Sequence, residues 1–102
     1  MGPSERRFRS RLVQLAAGHG LLRGSILERQ RVCGKPGCRC ARGHKHRAVY
    51  LVVSEKGRPR QLYVPAAWEQ RVRQWVANHQ ELRKLVREIG QVYWQKVKGR
   101  EE

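Results

Sequence analysis

The sequence predicts an α+β fold. It reads as a short N-terminal helix, a small three-stranded antiparallel sheet carrying a Cys/His loop, and a long C-terminal helix with a heptad seam. Three observations carry this. AVYLVV (48–53) is a β-branched, aromatic run, followed by a Lys-Gly turn and RQLYV, which is the pattern of a hairpin. CGKPGCRCARGHKH (33–46) gathers all the cysteines of the chain into one polar stretch too rich in Gly and Pro for a helix. Trp68, Val72, Trp75, His79, Leu82, Val86, Ile89 and Tyr93 then recur at alternating spacings of four and three, the signature of a helix with one apolar seam.

Taken in order, Phe8, Leu12 and Leu15 stand four and three apart and predict an amphipathic helix over 5–17. Ser4 is the expected N-cap, and Gly18 with Gly20 the expected stop. RGSILERQRVC (23–33) predicts a strand begun after Gly24, with the cysteine loop next. The run 48–53 predicts a buried strand, 54–59 a turn around Lys56-Gly57, and 60–64 the returning strand. Pro65 ends that strand and suits entry into a helix. From Ala66 onward the pattern predicts one helix of roughly 30 residues, or two with a break near Asn78-His79, about 45 Å in all at 1.5 Å per residue.

Three segments follow: an N-terminal helix and linker (1–22), a basic β module with the Cys/His loop (23–65), and the C-terminal helix with its frayed charged tail (66–102). A helix so long exceeds what a small sheet covers. Trp68, Val72, Trp75, Leu82, Val86 and Ile89 are therefore expected to meet a second copy of the chain or another helical protein, as in a coiled coil.

Charge narrows the function. The chain of 102 residues has 23 Lys and Arg against 8 acids, a formal net charge of +15. All the acids are Glu; without Asp, the carboxylate cluster of a metal-dependent nuclease is not expected. Residues 23–65 alone hold eleven basic and two acidic side chains, so the cysteine-bearing segment is the electropositive one. Arg predominates, and its planar fork suits phosphate oxygens and guanine edges. Neither a phosphate-cradling glycine loop nor a serine elbow is visible, so no catalytic residue is assigned and the chain is read as a non-enzyme. With no long apolar run and no signal peptide in view, the expected location is cytoplasmic, away from membranes.

In a reducing compartment three clustered cysteines point to a metal more than to disulfides. Structural zinc takes four N or S ligands, and Cys33, Cys38 and Cys40 with one histidine, His44 or His46, make a Cys3His set. The neighbouring cations favour the thiolates that a metal requires. A basic loop with free thiols is the competing reading, and an iron–sulfur cluster a further one. Zn2+ in a ligand-complete site would be structural, with no open position for catalysis.

The run RGSILERQRVCGKPGCRCARG, followed by a histidine, an aromatic-bearing strand, a Lys-Gly hairpin and YVP, resembles a family of small prokaryotic proteins of unknown function. Their pattern reads RGSL-x-E-R-x3-CGKPxCRCARG, then HGPYYYL, then GKxRxxYVP before a long charged helix. The resemblance spans about residues 23–90. It implies that Cys33, Cys38 and Cys40 act together with His46, whereas His44 falls where that family varies. This chain has Arg47-Ala48 where the family shows Gly-Pro, a departure that touches the loop's exit. The layout of three strands, an Arg-rich hairpin and a helix is also similar to the arm-type DNA-binding domains of tyrosine recombinases, whose sheet lies on the major groove; this is a fold-level analogy.

The expected function is therefore nucleic-acid binding, duplex DNA ahead of RNA, linked to mobile-element or DNA-processing systems. The expected contacts are Arg29, Arg31, Lys35, Arg39, Arg42, Lys45, Arg47, Lys56, Arg58 and Arg60. Tyr50 and Tyr63 are offered two roles, stacking on bases or packing on the sheet, with packing preferred. The alternative function is a protein-interaction adaptor working through the helical seam, or an RNA-binding module.

Overall fold

The computed structural model describes residues 1–31 and 46–100, with Arg31 and His46 described by their backbones alone. The order is α1 (Pro3–Gly18), β1 (Ser25–Arg31), β2 (His46–Glu55), β3 (Arg58–Val64), a 3-10 turn (Ala66–Trp68) and α2 (Glu69–Gly99). The strands form one antiparallel sheet in the order β1-β2-β3, so the fold is α+β as expected. The chain divides into two compact units. One is Gly24–Arg73, holding the sheet; the other joins Met1–Arg23 to Gln74–Glu102.

In the sheet unit, the turn sets the register. Lys56 (φ 52°) and Gly57 (φ 77°) both adopt positive φ, the two-residue hairpin geometry whose twist matches the flanking strands. Pairing therefore begins at once with Glu55 opposite Arg58, and 58–59 belong to β3, where the sequence suggests turn. Pro59 is tolerated because β3 is an edge strand. β2 is likewise longer than 48–53, reaching back to His46, which pairs with Arg31. Alternation then sorts the sheet. Val49, Leu51 and Val64 are buried on one face, and Val72 of α2 is buried with them in this unit's core.

Four charged side chains lock the start of α2 to that face. Arg47 pairs with Glu28 and, at 2.7 Å, with Glu69; Arg73 pairs with Glu28 at 3.4 Å and Glu69 at 3.8 Å. The result is a closed ring in which each carboxylate meets two guanidiniums. The Arg47 hydrogen bond holds the Glu28 carboxyl below its ordinary value, and Glu28, then Glu69, raise Arg47 above its own.

In the helical unit, α1 begins with Gly2 as N-cap and Pro3 at its first turn. Ser4 thus lies inside the helix, a correction that follows from proline's fixed φ suiting that position. α1 runs antiparallel to α2. Glu5, 3% exposed, accepts from Arg9 at 2.7 Å and from the Tyr93 hydroxyl at 3.0 Å, and Arg11 forks onto Glu81 at 2.8 and 3.0 Å. The Arg9 hydrogen bond keeps the Glu5 carboxyl below its ordinary value. Leu15 is fully buried.

α2 is unbroken through Asn78-His79. Asn78 is buried there, accepting from Gln74 at 2.9 Å and donating to the Gly20 carbonyl at 3.1 Å, while the Leu22 amide donates to the Trp75 carbonyl at 3.2 Å. The connection after α1 is thereby strapped along α2. A Cβ on Gly20 would stand 2.3 Å from Trp75 Cδ1 and 2.8 Å from Cγ, so the indole would have to move. Gly20→Ala is expected to destabilise by about 1–3 kcal/mol, the usual cost of overpacking, and to shift tryptophan emission. Denaturant titration followed by fluorescence checks it; an unchanged midpoint would show that the indole yields freely.

Candidate nucleic-acid interface

The sheet has a second face, and its composition differs sharply from the first. By alternation and by direct contact it carries Arg29, Tyr50 and Tyr63. Tyr50 faces Tyr63 across the β2–β3 pair, their ring centroids 5.9 Å apart and inclined at 64°. The Arg29 guanidinium lies 5.5 Å from the centre of the Tyr50 ring. Tyr63 is 57% exposed and Tyr50 half-buried, so the aromatic pair reaches solvent. Tyr50 and Tyr63 are thus residues of the sheet face, and at least Tyr63 presents its ring outward.

The two glutamates of the strands, Glu28 and Glu55, fall on the opposite face, where Glu28 sits in the ring and Glu55 accepts from Arg60 at 2.7 Å. Among the described residues, the tyrosine face therefore presents aromatic rings and a guanidinium with no carboxylate beside them. On such a surface a polyanion meets cations without repulsion, and a flat ring can meet a π-face.

The expected contact residues are spread over several places. Arg29 stands on the tyrosine face. Lys56 occupies the hairpin tip, Arg58 faces Glu55 in register, and Arg60 pairs with Glu55. Arg47 is brought to the buried face and tied to Glu28 and Glu69, an arrangement that gives it a structural role. Arg31 is placed by its backbone, paired with His46. Lys35, Arg39, Arg42 and Lys45 lie outside the described residues, as do the ligand residues Cys33, Cys38, Cys40 and His44. The register bears on that ligand set in one respect. Arg31, two residues before Cys33, faces His46, so both ends of the ligand-bearing run are anchored at one pair of facing positions.

Of the expected seam, Val72 is buried; Trp75, Leu82 and Ile89 are half-buried; Trp68 and Val86 are exposed, with 45% and 52% of their surface accessible. Trp68 packs beneath the Arg71 guanidinium, 4.1 Å from the ring. Trp94, at 64%, is the exposed indole near the end of α2. No helix among the described residues is long and apolar enough to cross a membrane.

A family model described as "Domain of unknown function (DUF6788)" matches residues 3–74, from α1 into the second turn of α2. No curated protein and no solved structure matches the chain.

Proposed function

From a chain that belongs to the DUF6788 family, we propose a small basic nucleic-acid-binding protein, with double-stranded DNA as its leading target and no catalytic role. The observation that carries this is the sorting of charge in the sheet unit. Both strand carboxylates lie on the buried face, where Arg47, Arg73 and Arg60 pair with them, which leaves Arg29 on the tyrosine face, Lys56 at the hairpin and the cations of the cysteine-bearing run to meet a polyanion. Phosphate contacts supply affinity on such a surface, and the guanidinium fork of Arg29 supplies reach into a groove. The test is titration of a fluorescent duplex with the full chain at about 50 mM salt, where a basic module of this kind binds. Absence of binding there would sink the reading.

Within it, Cys33, Cys38, Cys40 and His46, with His44 as substitute, hold a structural Zn2+. The donor set suits zinc: three sulfurs and one imidazole, supplied from a run whose flanks are held at the Arg31–His46 pair. The ion would staple the end of a small sheet and hold Lys35, Arg39, Arg42 and Lys45 in place for phosphate. Cys38→Ser is then expected to lose metal, stability and nucleic-acid binding together, whereas Arg39→Gln with Arg42→Gln loses binding and keeps the melting curve. Metal content of the purified chain reads the first directly; less than one zinc in about ten chains would remove the staple from the proposal.

A second reading rests on the exposed apolar side chains of α2, Val86 and Trp94. A second copy of the chain, or another helical protein, would cover them together with Trp68, Trp75, Leu82 and Ile89 of the expected seam, Val72 being already buried in the sheet unit. Sedimentation equilibrium separates the cases.

A further inference from the structure

Duplex binding uses phosphates and groove edges, and it gives an exposed tyrosine ring nothing to stack on, because paired bases already stack on one another. The tyrosine face has more than charge to offer. Tyr63 projects from an edge strand with over half its surface accessible. Tyr50 stands edge-on to it at 5.9 Å and is itself held by the Arg29 guanidinium, so the neighbouring ring is fixed while the Tyr63 face stays open. Gln61 lies two residues before Tyr63 on the same strand and on the same side of the sheet, exposed, with an amide able to donate to and accept from a base edge.

We propose that Tyr63, buttressed by Tyr50 and Arg29, is a stacking platform for an unpaired nucleobase, so that a protein whose cations meet duplex phosphates also takes nucleic acid offering unpaired nucleotides. This rests on the nucleic-acid-binding reading and names the substrate form for the same face. Stacking uses the π-face that every base has, so the platform is tolerant of sequence. Arg29 serves twice. It orders Tyr50 through a cation–π contact and presents its N–H groups to the phosphate beside the stacked base. The strand carboxylates lie on the far face, so the approaching backbone meets no opposing charge from the sheet beside Tyr63.

The experiment compares the full chain with Tyr63→Leu and Tyr63→Phe on three labelled probes of about 20 nucleotides or base pairs: oligo-dT, oligo-U and a duplex, all at one low salt concentration. Leucine keeps apolar bulk and removes the π-face; phenylalanine keeps both. Tyr63→Leu is expected to weaken single-strand binding by about 5- to 150-fold, the range for one base-stacking contact, with duplex binding changed less than about twofold. Tyr63→Phe is expected to retain single-strand binding within about twofold. A loss on either single strand sustains the proposal, and the more affected probe names the polymer. If duplex and single strand weaken together, or if neither changes, the stacking platform is wrong while nucleic-acid binding stands. If the unaltered chain binds none of the three, both fall.

Discussion

Raising salt from about 50 to about 200 mM is expected to weaken duplex binding by ~10³–10⁵-fold, the loss that accompanies 6–10 phosphate contacts. The reason is counterion release: each phosphate neutralised by a cation frees a condensed ion, and added salt opposes that gain. The structure sharpens which cations set the slope. Arg47 is tied to Glu28 and Glu69, so Arg47→Gln is expected to leave the slope of log K against log salt unchanged while loosening the sheet. Arg58→Gln is expected to reduce the slope by about one unit, as is the loss of any residue that meets a phosphate. Anisotropy titrations at four or so salt concentrations measure it. A flat dependence for the unaltered chain would mean that the charge of this module serves something other than a polyanion.

Leu51→Ala is expected to destabilise the chain by about 2–5 kcal/mol. Leu51 is 6% exposed at the centre of β2, with Ile26 and Leu62 opposite it on the two flanking strands. Gly24 approaches so closely that a Cβ there would stand 2.8 Å from Leu51 Cδ1. Few other buried apolar side chains share the load, with Val49, Val64 and Val72 beside it in the sheet unit. Backbone hydrogen bonds hold the strands in place, so the void is not readily closed by collapse. Domains of this size are stable by about 5–15 kcal/mol, and one such loss is a large part of that. Leu62→Ala is the control: at 65% exposure it is expected to stay within about 0.5 kcal/mol. Equal losses at the two positions in urea titrations would place the core elsewhere.

Much of the sheet could be read from its hairpin. A two-residue turn at Lys56-Gly57 fixes Glu55 opposite Arg58, and counting back from it puts Tyr50 opposite Tyr63. That pairing was available from the sequence, yet the apolar run AVYLVV conceals which side chains share a face, because a strand with apolar residues at every position shows no alternation. The sequence therefore favours packing on the sheet for both tyrosines, and the rings do meet there, but it does not reveal that Tyr63 is also 57% exposed. Arg47 illustrates the opposite difficulty. Its partners Glu28 and Glu69 are separated from it by 19 and 22 positions, and only the strand register and the helix start bring them together. The helix beyond Ala66 was legible in type and length, since a four-three repeat survives over many turns. Its buried members were less so: Val76 and Asn78, off the seam, are buried, while Trp68 and Val86, on it, are exposed. Periodicity gives the angle of a stripe and says nothing of where along the helix a neighbour stops.

The boundary between the two units has a consequence for how this chain can be inherited. One crossing lies between Arg23 and Gly24, in the connection ahead of β1, but the other lies between Arg73 and Gln74, inside α2. No loop separates the units there, so a recombination event cannot exchange one of them at a tolerant site. A break at that point would leave bare carbonyls on one fragment and bare amides on the other, four to each new helix end. It would also strand Glu69 and Arg73 on a helical stub too short to hold itself. The sheet and its helical companion are thus expected to pass between genomes as one indivisible cassette.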